Sequence, residues 1–201
     1  MSHARLPADS RLYLIAPARA DLPELIESAA RGGVDIVQVR EKELPDGELL
    51  RRLHHARELT RRLRVPLVVN DRSDLAVLSG ADFVHVGQDD VPVDEARRLG
   101  VGVGLSTHAP GEIDAAGADY IGIGPVYATP TKAGRPPVGL ELVRYAAERA
   151  RQPWFAIGGI DETNVADVVA AGATRIAVVR AITDAEDHER AAARLRAALP
   201  C

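Results

Sequence analysis

The sequence predicts an α/β protein built as a single (β/α)8 TIM barrel, and three observations carry that reading. Short apolar, β-branched runs alternate with longer amphipathic stretches from one end of the chain to the other, the pattern of repeated βα units around a parallel sheet. Eight such units fit into 201 residues, the lower end of the barrel range, whereas an open doubly wound sheet usually has fewer strands. Three similar phrases punctuate the chain: Arg31-Gly32-Gly33-Val34-Asp35-Ile36, Ala116-Gly117-Ala118-Asp119-Tyr120-Ile121 and Ala171-Gly172-Ala173-Thr174-Arg175-Ile176. Each reads as a helix end, a glycine stop and the start of the next strand.

After an N-terminal extension at about 1–10, the run Leu12-Tyr13-Leu14-Ile15-Ala16 gives the first strand, at 12–16. The amphipathic stretch 22–31 follows as a helix and ends at the first glycine phrase. The second strand is expected at 36–40, the long polar helix at 46–64 and the third strand at 67–70. Further apolar runs place strands at 83–87, 101–106 and 120–126. The segment Ala133-Gly134-Arg135-Pro136-Pro137-Val138-Gly139 is rich in turn formers and reads as a long loop within the same domain, 1–201. Helices at 140–151, 163–171 and 186–199 alternate with the last strands, at 154–158 and 175–179.

The bulk properties narrow the function. A net charge of -4 and a pI near 5.9 argue against nucleic-acid binding, which needs a basic face, so any phosphate site must be a local gathering of cations. The one cysteine, Cys201, is the last residue, which leaves no disulfide framework or thiolate-rich metal site within one chain. No run is apolar enough to span a membrane and the first residues have no apolar core of the signal-peptide type, so a soluble, cytoplasmic protein is expected, compatible with a homo-oligomer.

Barrel active sites lie at the carboxyl ends of the strands, so the polar residues that close each apolar run are the candidates. Strand two delivers Gln38, Arg40 and Lys42; strand three, Asn70-Asp71-Arg72; strand four, Gln88-Asp89-Asp90; strand five, Ser106-Thr107-His108. Strand six feeds Thr129-Pro130-Thr131-Lys132, and strand seven ends in Gly158-Gly159. Lys42 and Lys132 are the only lysines, beside twenty-three arginines. Lysine offers a compact ammonium suited to a single phosphate oxygen or a developing negative charge. Asp71 and Asp90, on successive loops, are placed to converge on one hard cation, and Mg2+ suits two carboxylates because it keeps waters and shares phosphate oxygens. Taken singly, Asp71 reads better as a helix cap and Asp89 or Asp90 as a turn residue; with Arg40, Lys42 and Lys132 expected around the same mouth, a metal–diphosphate site is the better reading. Gly158-Gly159 allows backbone N–H groups to approach an anion, with the hydroxyls of Thr129 and Thr131 nearby. His85 lies within a strand and reads as a packed, hydrogen-bonded residue; His54 and His55 belong to a polar helix, and the role of His108 is open. No nucleophile–base pair stands out, so covalent catalysis is not expected.

Five motifs in order, Val37-Gln38-Val39-Arg40-Glu41-Lys42, Val69-Asn70-Asp71-Arg72, His85-Val86-Gly87-Gln88-Asp89-Asp90, Gly104-Leu105-Ser106-Thr107-His108 and Gly124-Pro125-Val126-Tyr127-Ala128-Thr129-Pro130-Thr131-Lys132, together resemble the thiamine-phosphate synthase family over nearly the whole chain. The resemblance implies a transferase that joins 4-amino-2-methyl-5-pyrimidinylmethyl diphosphate to a thiazole phosphate, releases diphosphate and uses Mg2+. It implies metal ligation by Asp71 and Asp90 and a diphosphate held by Arg40, Lys42, Asn70 and Lys132. It puts Gln38 and Ser106 near the pyrimidine and Thr129, Thr131 and Gly159 at the thiazole phosphate. By the same likeness Arg40, Lys42, Ser106 and Lys132 are the candidate catalytic groups.

Two departures stand out. Where the family has a Val-Val-Ser-type turn after strand eight, this chain reads Val178-Val179-Arg180-Ala181, so Arg180 either clamps the thiazole phosphate beside Val179 or points to solvent while backbone N–H groups bind. Strand one ends in Ile15-Ala16-Pro17 in place of a Thr-Asp pair, and no function is assigned there. A thiazole tautomerase on the same fold would need neither metal nor the cation cluster, and a non-catalytic phosphate-ligand binder is not excluded by fold alone.

Overall fold

Each β-branched run forms a short strand and each amphipathic stretch a helix that covers it. The computed structural model describes residues 6–129 and 136–200. Its elements are β1 (Leu12–Ala16), α1 (Leu22–Arg31), β2 (Ile36–Val39), α2 (Asp46–Leu63), β3 (Leu67–Asn70), α3 (Ser73–Ser79), β4 (Phe83–Val86), α4 (Val93–Arg98) and β5 (Gly102–Thr107). They continue with α5 (Pro110–Ala115), β6 (Tyr120–Ile123), α6 (Gly139–Arg149), β7 (Trp154–Ile157), α7 (Val165–Ala170), β8 (Ile176–Val178), α8 (Arg180–Thr183) and α9 (His188–Ala197). The eight strands pair in parallel in sequence order, and β8 closes onto β1 through Leu12↔Ile176 and Leu14↔Val178.

The period-two alternation of side chains separates two cores. Tyr13, Ile15, Ile36, Val68, Phe83, Tyr120, Phe155 and Ala177 pack inside the barrel. Their strand neighbours, such as Leu12, Leu14, Val37, Val69 and Val84, pack outward with the helices. The interior aromatic rings meet edge to face, with Tyr13–Phe155 centroids 5.3 Å apart and Phe83–Tyr120 centroids 5.8 Å apart. Such contacts fill a narrow barrel with few side chains.

Two of the repeated phrases, and the similar turn Gly80-Ala81-Asp82, do more than punctuate. Asp35 accepts from the Arg11 and Leu12 N–H groups, Asp82 from the Leu67 N–H at 2.9 Å and Asp119 from the Val103 N–H at 2.7 Å. In each case the aspartate that precedes one strand ties down the start of the strand before it, where backbone donors would otherwise be left over. Gly33 and Gly172 take positive φ, 99° and 104°, which explains glycine at those helix exits.

Some boundaries shift. The sixth strand, expected to run to 126, ends at Ile123, because Pro125 has no N–H for the ladder. The chain then bends toward the seventh strand, and the Val126 and Tyr127 N–H groups donate to the Ile157 and Gly158 carbonyls. Helices α3, α4, α5 and α8 have only four to seven residues each, too few for a readable apolar period. Among the described residues no helix is long and apolar enough to cross a membrane.

Candidate active site

A cavity of about 340 Å³ opens at the carboxyl ends of the strands. Its apolar wall comes from Ile15, Ile157 and Ile160. Polar groups then occupy three regions: a floor, a cationic and acidic rim beside β2–β4, and a second rim at β7 and β8.

The floor is a hydrogen-bonded set drawn from five strands. Gln38, which is buried, donates from Nε2 to Tyr13 Oη at 2.5 Å, and the hydroxyls of Tyr13 and Tyr120 lie 2.9 Å apart. Tyr120 Oη lies 3.1 Å from His85 Nδ1, and His85 Nε2 lies 3.0 Å from Ser106 Oγ. Burial drives both tyrosine pKa values well above the ordinary phenol value, so both remain protonated near neutrality. Gly104 makes this arrangement possible: a Cβ there would overlap the Tyr120 phenol and His85 Nδ1. His85 is thus packed and hydrogen-bonded, as a strand histidine should be, and it also borders the cavity.

On the first rim Arg40 and Asn70 line the cavity. Beside them Lys42 Nζ stands 3.6 Å from Asp71 Oδ2. Burial and the neighbouring Asp90 carboxylate raise the Asp71 pKa, while Lys42 and Arg40 act in the opposite direction. Two carboxylates therefore face each other closely enough to repel, which is the electrostatic condition of a cation site. Asp71 has φ 60° although it is not glycine, and its N–H donates to the His85 carbonyl at 2.8 Å. It precedes the first residues of α3 and is not that helix's cap. Asp90 does serve a turn, accepting the Gly87 N–H at 2.7 Å. Among the described residues no group of three or more acidic, histidine or cysteine side chains gathers for a metal. The Asp71–Asp90 pair fits a hard ion that takes its remaining ligands from water and phosphate, as Mg2+ does.

The second rim comprises Thr129, Gly158, Gly159, Val179 and Arg180. Gly158 and Gly159 have φ 104° and 65°, and a Cβ on either would collide with the 125–128 segment. Glycine is needed there by backbone angle and by close approach. Arg180 is exposed and borders the cavity, and among the described residues it pairs with no carboxylate.

Gln38, Arg40, Asn70, Ser106, Thr129, Gly159, Val179 and Arg180 thus border one cavity, with Lys42, Asp71 and Asp90 grouped around Asp71 near its rim. Thr131 and Lys132 lie outside the described residues. His108 is a loop anchor, its N–H bonded to Glu112 and its Nδ1 against the Gly124 carbonyl. Tyr13 and Tyr120, buried partners of the lining residues Gln38 and His85, were not anticipated. The signal available for them was polarity at inward positions inside strands.

A family profile described as thiamine monophosphate synthase matches residues 12–182. The thiamine-phosphate synthase of Arthrobacter sp. is 48% identical over 232 residues, covering 99% of this chain and 98% of the relative. That of Gloeobacter violaceus is 52% identical over 193 residues and covers 92% of this chain, which spans only 56% of that longer relative. Among solved structures, thiamine phosphate pyrophosphorylase from Pyrococcus furiosus superposes with a TM-score of 0.86 at 33% identity, covering 94% of this chain and 95% of that one.

Proposed function

The chain belongs to the thiamine monophosphate synthase family, and from that premise we propose that it condenses 4-amino-2-methyl-5-pyrimidinylmethyl diphosphate with a thiazole phosphate to give thiamine phosphate and diphosphate. The observation that carries the reading is the division of one cavity into a polar floor between two oppositely placed rims, each suited to an anion. One rim has carboxylates for a metal beside cations; the other has glycine backbone and an arginine.

In this reading Gln38 and Ser106 hold the pyrimidine on the floor. Arg40, Lys42 and Asn70, with Lys132, grip the diphosphate, and Asp71 and Asp90 hold Mg2+. The ion, when bound, offsets the charge that accumulates on the leaving diphosphate. The C–O bond to the diphosphate breaks, the leaving group keeps the electron pair, and the aminopyrimidine delocalises the positive charge left on its methylene carbon. The thiazole nitrogen then donates its lone pair to that carbon. No protein nucleophile is required, which matches the lack of a nucleophile–base pair in the sequence. Thr129, Thr131, Gly159, Val179 and Arg180 hold the thiazole phosphate, so its nitrogen is held facing the carbon, and alignment of this kind supplies much of the rate. Ile15, Ile157 and Ile160 keep the reacting centre against apolar surface, where fixed charges act strongly.

The test is to mix purified protein with both substrates, with and without Mg2+, and measure diphosphate release. Release that needs both substrates and the metal is expected. Release without the thiazole phosphate, or none at all, would overturn the reading.

A further inference from the structure

The cavity floor holds more polar groups than the proposed reaction uses. Gln38, Tyr13, Tyr120, His85 and Ser106 are linked in series through the barrel interior, from β2 by way of β1, β6 and β4 to β5, with links of 2.5, 2.9, 3.1 and 3.0 Å. Each phenol hydroxyl has a single proton to donate, and a neutral imidazole has one donor and one acceptor nitrogen. These links therefore admit two concerted arrangements.

In the first, Gln38 donates to Tyr13, Tyr13 to Tyr120, and Tyr120 to His85 Nδ1. The imidazole proton is then on Nε2 and points at Ser106 Oγ, so the Ser106 proton is directed away from His85. Gln38 keeps its carbonyl oxygen and one N–H for other partners. In the second, every link reverses: Ser106 donates to His85 Nε2, His85 Nδ1 to Tyr120, Tyr120 to Tyr13, and Tyr13 to the Gln38 carbonyl. Gln38 then has both N–H groups free and its carbonyl turned to Tyr13, and Ser106 offers only lone pairs. The two ends of the chain invert together. The Gln38 amide in the structure, with Nε2 toward Tyr13, corresponds to the first arrangement.

We propose that Tyr13, Tyr120 and His85 are positioning residues that lock Gln38 and Ser106 into one shared polarity, so that the cavity floor selects a 4-aminopyrimidine over its 4-oxo counterpart. The inference rests on the proposed function for the identity of the ring. An amino group beside a ring nitrogen presents a donor next to an acceptor, and the oxo tautomer presents an acceptor next to a donor. A floor held in the first arrangement meets the former and leaves unpaired groups against the latter, and a site built on hydrogen bonds rejects strongly on that basis. Gly104 supports the assignment independently, because any side chain there would displace the Tyr120–His85 link.

The experiment compares wild type with Tyr13→Phe and Tyr120→Phe. Calorimetric binding is measured for the aminopyrimidine diphosphate, for its 4-oxo analogue and for the thiazole phosphate. The His85 tautomer is read by 15N NMR, with His85→Gln providing the assignment and thermal melting confirming folding. Wild type is expected to prefer the amino compound by about tenfold or more, with the His85 proton on Nε2. Tyr120→Phe should mix the tautomers and cut the preference about tenfold, and Tyr13→Phe should cut the preference as well. Thiazole-phosphate affinity should stay as in wild type in both. An unchanged preference and tautomer in Tyr120→Phe overturns the proposal, as does a wild-type His85 protonated on Nδ1. Wild type that binds neither pyrimidine overturns the proposal together with the function. Selective binding without any diphosphate release condemns the catalytic reading alone and leaves the positioning role supported.

Discussion

Gly104→Ala tests whether the barrel interior is as tightly committed as its geometry implies. Gly104 does not use left-handed backbone angles, so alanine is conformationally admissible and would gain about 0.4–1 kcal/mol by restricting the unfolded chain. Space opposes it. The new Cβ would overlap the Tyr120 phenol carbon and hydroxyl and His85 Nδ1, and Tyr120 is fully buried among Tyr13, Phe83 and Phe155 with no room to withdraw. Overpacking of this kind costs about 1–3 kcal/mol, and breaking the Tyr120–His85 hydrogen bond adds about 1 kcal/mol. The net loss is about 1–3.5 kcal/mol, which for a chain of this size lowers Tm by about 2–14 °C. Calorimetric melting measures it, and titration with each substrate separates the site effect. Pyrimidine affinity should fall while thiazole-phosphate affinity holds. A Tm within about 1 °C of wild type, with unaltered pyrimidine affinity, would refute the packing argument.

Asp71→Ala and Lys132→Ala should each reduce kcat/KM by about 10²-fold or more, the usual consequence of removing a charge contact to a leaving group; near-normal turnover in steady-state assays removes that residue from the diphosphate site. Arg180→Ser should raise the KM for thiazole phosphate by about tenfold or more, as expected for a charge-assisted contact, with the pyrimidine KM unchanged; an unchanged thiazole KM refutes the clamp. Asp35 gives a pH signature away from the site. Burial pushes its pKa up to about 6, against the backbone N–H groups of Arg11 and Leu12. A carboxyl raised in the folded state stabilises most when protonated, so its contribution is present below about pH 4 and is lost as pH rises through about 6. The shift sets a ceiling of about 3 kcal/mol, reduced to about 1–2 kcal/mol by solvent screening at a partly exposed group. Melting curves of Asp35→Asn and wild type should diverge across that window, and parallel curves would refute the assignment.

The barrel was legible because its signals are local. β-branched runs, amphipathic stretches and glycine stops each report within about ten residues, and the observed strands begin within one residue of where these signals put them. Two of the short helices, Val93–Arg98 and Pro110–Ala115, were not legible: each completes fewer than two turns and buries a single residue, Ala96 or Ile113, whereas the equally short Val165–Ala170 buries Val165 and Val168 and was legible. In the site, strand-end polar residues such as Arg40, Asn70 and Ser106 announced themselves by interrupting apolar runs. Tyr13 and Tyr120 did not, because an aromatic residue in a strand reads as core. Their hydroxyls acquire meaning only when β1 and β6, far apart in sequence, face each other across the barrel, 107 residues apart along the chain.

The same non-local rule governs the cations. Lys42 and Lys132 stand out by the scarcity of lysine, yet Lys42 is largely exposed and stands beside Asp71, whereas two of the many arginines border the cavity itself. Arg57 is committed to Asp82, and Arg72 to Asp46 and Asp74, by close ion pairs. Arg40 and Arg180 border the cavity and form no ion pair among the described residues. A guanidinium held at a cavity wall without a carboxylate keeps its whole fork for an incoming anion. Residue type alone could not separate these arginines from the structural ones. What separates them is a place on the cavity wall with no ion pair among the described residues, a property decided by which helix packs beside which strand and therefore written across the chain rather than at any one position.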